Sequence, residues 1–326
     1  MKILQMSKIK WGIIGLGNIA QKFAKDLATI PNAELYAVAS RNKEKSEQFA
    51  KEYQVVKSYN SYKDLAKDSE VDAVYIATPH SFHKEHAILC MMHKKAVLCE
   101  KPFAMNFDEV QEMISVSKEQ NVLLMEALWT YFLPHYQYVL EFLKNKTLGD
   151  IISLEADFGF YKLFDNEDRL FKKEVGGGSL LDIGIYPIFV ALTILGMPKN
   201  IEAKAMFFKN GADESCDMIF HYQHAKAYLK SSIQKQTATQ AIFTCEEGII
   251  KMNTAFFMPA TVSIIKNGQE EIVDFGVKTI GYNYEIAHFN QLLSKGKKES
   301  DIMTFEFSKK LIKTLDAVRE TIGLTY

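Results

Sequence analysis

Two short stretches hold residue types that could do chemistry on a hydroxyl group. In Cys99-Glu100-Lys101-Pro102-Phe103 a lysine precedes a proline, which fixes its own φ and pushes the residue before it out of the helical region. The backbone therefore aims the ammonium of Lys101, a group able to move protons. In Gly176-Gly177-Gly178-Ser179-Leu180-Leu181-Asp182-Ile183-Gly184-Ile185-Tyr186 a flexible entry leads to a serine N-cap and a helix ending at Gly196-Met197-Pro198. Asp182 and Tyr186, four residues apart, then share a helical face and could both meet a substrate hydroxyl. The same spacing would also suit a carboxylate and a phenol that only cap or decorate a helix.

A third stretch addresses a nucleotide. Gly15-Leu16-Gly17-Asn18-Ile19-Ala20 follows a strand-like run and opens a helical pattern. Residues without bulk at such a turn bring free backbone N–H groups and the positive end of a helix dipole against a pyrophosphate. Ala20 replaces the third glycine of that fingerprint, where the requirement is only close helix–strand packing. The next strand ends about twenty residues further on, where an NAD site usually offers an acid to the ribose. This chain offers Ser40 and Arg41, a hydroxyl and a guanidinium suited to a 2′-phosphate, so NADP(H) is favoured over NAD(H). Thr78 and Pro79 end another strand on the cofactor edge, and His83 is expected to line the cofactor cleft.

The elements that must position these groups follow from periodicity. Six apolar runs, at 9–14, 35–39, 55–57, 73–77, 96–99 and 122–125, alternate with helical patterns and imply a parallel, doubly wound sheet. In the first helix Ile19, Phe23, Leu27 and Ile30 make the expected sheet-packing face, before Pro31 and Asn32 end it. The helix after Pro102 starts near Asn106, and the Rossmann-type dinucleotide-binding domain spans 1–127. Period-2 runs then dominate, at 151–160, 201–208, 216–222, 227–233, 241–245, 249–253 and 261–265, giving an open, mainly antiparallel sheet in an α+β domain over 128–304. Asn267-Gly268 supplies the positive φ angles of a type I′ hairpin. Helices at about 284–293 and 305–322 close the chain, and 305–326 is expected to pack back on the first domain.

Composition narrows the function classes. The 326 residues are 48% hydrophobic, enough for two cores, and 39 basic against 40 acidic residues leave a formal charge of −1 without long runs. Nothing there points to nucleic acid or an anionic membrane, so the expected partner is a small molecule. The opening Met1–Ser7 has no long apolar stretch, and no later run is expected to reach membrane length, which suggests a cytoplasmic protein. Cys90, Cys99, Cys216 and Cys245 are scattered and read as reduced core residues. His80, His83 and His86 recur every third residue, but no cysteine or carboxylate accompanies them in zinc spacing, so no metal is expected.

Glu100-Lys101-Pro102 together with Asp182-x-x-x-Tyr186 resembles the two signature motifs of the glucose-fructose oxidoreductase/inositol dehydrogenase/MocA family, over nearly the whole chain. The similarity is nearest the branch of dimeric dihydrodiol dehydrogenases and NADP-dependent xylose dehydrogenases, through 99–103, Met125-Glu126-Ala127-Leu128-Trp129-Thr130 and 176–186. The resemblance implies an oxidoreductase with an NAD(P)-binding first domain and a second domain whose sheet often forms the subunit interface, hence a homodimer or homotetramer. It also implies a cis bond before Pro102. Carried over, Lys101 would polarise or protonate the reacting oxygen, Tyr186 would be its acid/base partner, and Asp182 would orient a neighbouring hydroxyl. Trp129 and Phe158 would line the substrate pocket, with Glu100 and Trp129 also near the cofactor. The chemistry is coherent: tyrosine is a poor base at its ordinary pKa of about 10, and a nearby cation favours phenolate. Tyr131 stands where the branch usually has arginine, which weakens any substrate inference from that segment. Three functions stay open: hydride transfer between nicotinamide and a secondary alcohol of a sugar, polyol or cyclic diol; a non-catalytic nicotinamide-binding regulator; and transient oxidation serving a non-redox outcome.

Overall fold

The computed structural model describes residues 8–326; Met1–Ser7, read above for a targeting segment, lie outside the described residues. The chain divides into two compact units. One comprises the chain up to Trp129 with Thr279–Ser308, the other Thr130–Lys278 with Lys309–Tyr326.

In the first unit, strands β1 (Ile9–Ile14), β2 (Ala33–Ala39), β3 (Lys57–Tyr59), β4 (Ala73–Ile76), β5 (Ala96–Glu100) and β6 (Leu124–Ala127) pair in parallel in the order β3-β2-β1-β4-β5-β6. β4 and β5 are buried along their whole length, which is why they read as unbroken apolar runs rather than alternating ones. Helices α1 (Asn18–Leu27), α2 (Lys43–Glu52), α3 (Tyr62–Lys67), α4 (His83–Met92) and α5 (Phe107–Gln120) connect them. Asn106 caps α5 by accepting the Glu109 N–H at 3.0 Å.

Two details of α1 differ from the periodicity. Its buried face is Ala20, Phe23, Ala24 and Leu27, whereas Ile19 is 37% exposed. The helix stops at Leu27, so Ile30 is not on it. Small Ala20 and Ala24 let the helix lie close to the sheet, and an apolar count weighted by bulk overlooks them.

The second unit carries α6 (Pro134–Lys144), β7 (Ile151–Gly159), α7 (Ile185–Leu195), β8 (Asn200–Phe207), β9 (Asp213–His221), β10 (Lys226–Ser232), β11 (Ala241–Cys245), β12 (Gly248–Met252), β13 (Val262–Lys266) and β14 (Gln269–Val273). Its eight-stranded sheet runs β14-β13-β12-β11-β7-β10-β9-β8 and is antiparallel except for the β7–β10 pair. Asn267 and Gly268 turn β13 into β14 with φ of 54° and 75°, as a type I′ hairpin requires. Helix α8 (Tyr282–Ser294) belongs to the first unit, and the boundary between the units falls within α9 (Phe305–Ile322).

The expectation that no run reaches membrane length needs correction. Lys173–Leu195 is long and apolar enough by composition to cross a bilayer. It is mostly buried within this unit, the character of a core helix, and α7 is apolar because it is packed on several sides.

Candidate functional site

The strand order of the first sheet reverses between β1 and β4, the place where ligands bind in such sheets. Gly15 lies at the end of β1 with φ of +89°, and a Cβ there would come within 2.7 Å of the Ala77 carbonyl and the Thr78 nitrogen. Glycine is required by the protein itself. Gly17 is different: a Cβ would meet nothing within 4 Å, its φ of −89° suits any residue, and no side chain caps the N–H groups that open α1. An open cradle over the uncapped start of a ten-residue helix, with Asn18 and Ile19 in its first turn, fits a pyrophosphate.

At the end of β2, Ser40 is buried and accepts the Asn42 N–H at 3.2 Å, while Arg41 is exposed. The Arg41 guanidinium lies 5.6 Å from the Phe82 ring centroid. Burial, then the charge of Arg41, pushes the imidazole of His86 down to about 4, and His86 Nδ1 bonds the Thr78 hydroxyl at 3.0 Å. The Arg41 cation thus lies near an imidazole kept neutral at the end of β2.

Lys101 follows β5, and its bond to Pro102 is cis. The turn is tied down from several sides. Glu100 accepts the Lys101 N–H at 3.2 Å on Oε2 and the Tyr75 hydroxyl on Oε1. His83, wholly buried, bridges Pro102 O from Nδ1 and Thr78 O from Nε2, each at 2.8 Å, linking this turn to the end of β4. Glu126 accepts the Phe103 N–H at 3.1 Å. Tyr75 stacks on Phe23 at 3.7 Å, and Trp129, 4% exposed, stacks on Tyr282 at 4.4 Å.

Sequence reasoning missed Asp26. Its carboxylate accepts the N–H groups of Ile280, Gly281, Tyr282 and Asn283 at 2.7–3.3 Å, supplying the cap that Gly281 lacks at the start of α8. Its partners are more than 250 positions away, so no local pattern could reveal it.

In the second unit the glycine-rich entry departs from expectation. Ser179 does not cap a helix; its hydroxyl donates to Asp213 Oδ2 at 2.8 Å, and Asp213 itself accepts the Leu180 N–H at 2.7 Å. Asp213 comes from β9, so tertiary structure supplies the cap. A Cβ at Gly178 (φ +131°) would fall 2.0 Å from Asp213 Oδ1, which fixes glycine there. The first turn, Leu180–Gly184, is π-helical before α7 begins, a feature frequent at functional sites. Asp182 therefore lies on a wider turn than Tyr186. Asp182 pairs with Arg169 at 3.1 Å, from the segment between β7 and the glycine-rich entry.

Phe158 and Tyr186 come together with ring centroids 5.7 Å apart, and Phe257, not anticipated, completes the cluster at 4.2 Å from Phe158 and 5.2 Å from Tyr186. Thr130 and His135 hold that segment through bonds to the carbonyls of Phe257 and Phe256, both 2.8 Å. Tyr131 packs against Phe189 and Tyr136. Of the expected site residues, Lys101 and Trp129 lie in the first unit, and Phe158, Asp182 and Tyr186 in the second.

Residues 9–128 match the family described as "Oxidoreductase family, NAD-binding Rossmann fold", and residues 136–251 match the "GFO/IDH/MocA C-terminal domain". The chain belongs to the GFO/IDH/MocA oxidoreductases. It is similar to trans-1,2-dihydrobenzene-1,2-diol dehydrogenase of Xenopus tropicalis, 37% identical over 97% of this chain and 99% of that one. The human protein of that name is 32% identical over 98% of both. Among solved structures, a 3-ketoreductase from Actinomadura kijaniata, in complex with NADP and TDP-benzene, superposes with a TM-score of 0.89 at 26% identity, covering 97% and 98% of the two chains. This GFO/IDH/MocA chain is accordingly an NAD(P)-binding dehydrogenase or reductase acting on CH–OH groups.

Proposed function

We propose that the protein transfers a hydride between NADP(H) and a secondary alcohol or ketone of a sugar, polyol or cyclic diol, with Lys101 and Tyr186 handling the proton. A bound nicotinamide would supply the hydride donor or acceptor. Gly15, Gly17, Asn18 and Ile19 would hold its pyrophosphate, and Ser40 and Arg41 its 2′-phosphate. In oxidation Tyr186 Oη takes the hydroxyl proton, and the Lys101 ammonium stabilises the phenolate that results; in reduction the proton returns by the same route. Asp182 orients a second hydroxyl of the substrate.

The observation that carries the reading is the setting of Tyr186: a phenol flanked by the rings of Phe158 and Phe257, one turn after a carboxylate. Apolar walls beside two oxygen-recognising groups suit a ring that bears vicinal hydroxyls, the substrate class in the names of the dihydrodiol dehydrogenases.

Purified protein should reduce NADP with at least one member of a panel of trans-dihydrodiols, aldoses and polyols, followed at the reduced-nicotinamide absorbance band. Lys101→Met should abolish turnover while NADP binding survives. Undiminished turnover by Lys101→Met would remove the lysine from the chemistry, and tightly retained NAD with no net absorbance change would favour transient oxidation.

A cytoplasmic setting accords with four free, buried cysteines. We also propose a homodimer or homotetramer built on the sheet of the second unit, supported by Tyr228 and Met206, 44% and 64% exposed on β10 and β8. Light scattering at micromolar concentration tests it, and a monomer throughout would refute it.

A further inference from the structure

Glu126 belongs to the Met125–Thr130 motif, yet no role above uses its charge. It is 2% exposed on β6 in the first unit, and its two oxygens differ: Oε1 accepts the Phe103 N–H at 3.1 Å, while Oε2 has no hydrogen-bond partner among the described residues. Glu100 on β5 and Glu285 on α8 are also buried, and both carboxyl oxygens of Glu285 lack partners. Buried carboxylates sharing one region cannot all be ionised without great cost, so the group holds protons.

We propose that Glu126 is a positioning residue for Lys101: it carries the exchangeable proton of this buried acid group and anchors the Lys101-Pro102-Phe103 turn through the Phe103 N–H. The inference rests on the reading that Lys101 handles the proton of the reaction.

Burial pushes the Glu126 carboxyl up to about 7; the Ser308 hydroxyl on α9 and the Phe103 N–H work against that, Glu100 adds to it, and Lys101 opposes it. Glu126 in turn raises the Cys99 thiol, after burial and Glu100. The Glu285 carboxyl is raised well above the ordinary range by burial, then by Glu100 and Asp26. Tyr75 is raised by burial, then by Glu100, Tyr282 and Glu285. Glu126, pushed up to about 7, is thus an acid of this group that can change charge near neutrality. Once ionised, it grips Phe103 more strongly and favours the ammonium form of Lys101.

The test compares wild type with Glu126→Gln, which keeps an amide oxygen for Phe103 but cannot ionise. In the wild type, kcat/KM for alcohol oxidation should rise with pH through an inflection near 7. In Glu126→Gln that inflection should vanish, with NADP affinity within about twofold of wild type. Infrared spectra of the wild type should lose a protonated-carboxyl band between pH 6 and pH 8.5 that Glu126→Gln never shows. Glu126→Ala should lower turnover about tenfold or more, with Gln restoring part of it. An inflection that persists in Glu126→Gln, or equal infrared changes in both proteins, overturns the proposal. If Glu126→Gln does not fold, Glu126→Asp decides: a displaced inflection supports the assignment and an unmoved one refutes it. Undiminished turnover by Lys101→Met would defeat the parent reading instead, and the infrared comparison still assigns the acid.

Discussion

Gly15 and Gly17 separate what the protein needs in order to fold from what it needs in order to bind. At Gly17 a methyl group meets no protein atom and the backbone angles suit any residue. Gly17→Ala should therefore change stability by less than about 0.5 kcal/mol, the small N-cap loss and the reduced entropy of the unfolded chain nearly offsetting each other. The same methyl would stand where the pyrophosphate oxygens must approach α1. Overpacking of about 2–3 kcal/mol there corresponds to roughly 30- to 150-fold weaker NADP binding. At Gly15 the order is reversed. Its Cβ would collide with backbone atoms at 2.7 Å from a φ of +89°, so Gly15→Ala should cost about 2–5 kcal/mol of folding free energy. Urea unfolding and nicotinamide-fluorescence titration of both variants give the four numbers needed. If Gly17→Ala binds NADP like wild type, the space above α1 is not where the phosphates sit, and the cofactor argument fails.

Three more outcomes follow from the geometry. Arg41→Ala should raise KM for NADP by roughly tenfold or more while leaving KM for NAD nearly unchanged, since a charge-assisted bond to the 2′-phosphate is lost; equal effects on both would refute the role. Asp26→Ala strands four N–H groups at the start of α8 and should cost roughly 3 kcal/mol or more by urea titration, and a loss under about 1 kcal/mol would contradict it. His86 is held down to about 4, so the stability from its neutral ring is fully present above its unfolded value near 6.5 and is lost as pH falls through 4. His86→Gln should reduce the loss of stability between pH 7 and pH 4 by up to about 3 kcal/mol, read as urea midpoints, and an unchanged slope would refute it.

The strands were legible because burial on both faces demands unbroken apolar runs, as in Ala73–Ile76, and the hairpin because Asn267-Gly268 meets a local conformational need. Lys101, Tyr186 and Phe158 were singled out by motif and resemblance, and of these the structure brings the rings of Tyr186 and Phe158 together. What escaped depends on partners distant in the chain. Ser179 looked like a cap until Asp213 arrived from β9, Phe257 had no periodicity to mark it, and Arg169 meets Asp182 only because an irregular loop returns to the glycine-rich turn. Ile19 fits a helical stripe by spacing, yet small Ala20 and Ala24 pack beside Phe23 and Leu27 in its place.

The return of Thr279–Ser308 to the nucleotide-binding unit has a consequence for biosynthesis. Asp26 leaves the ribosome 254–257 residues ahead of the amides it caps, and Trp11 waits longer still for Phe289 and for the Asn290 side chain that accepts its indole N–H, 279 positions on. At about 5–20 residues per second that interval is roughly 12–50 s. Throughout it a nascent parallel sheet carries an uncovered aromatic face, a natural substrate for chaperone capture and the point at which a stalled or truncated message would yield an aggregating fragment.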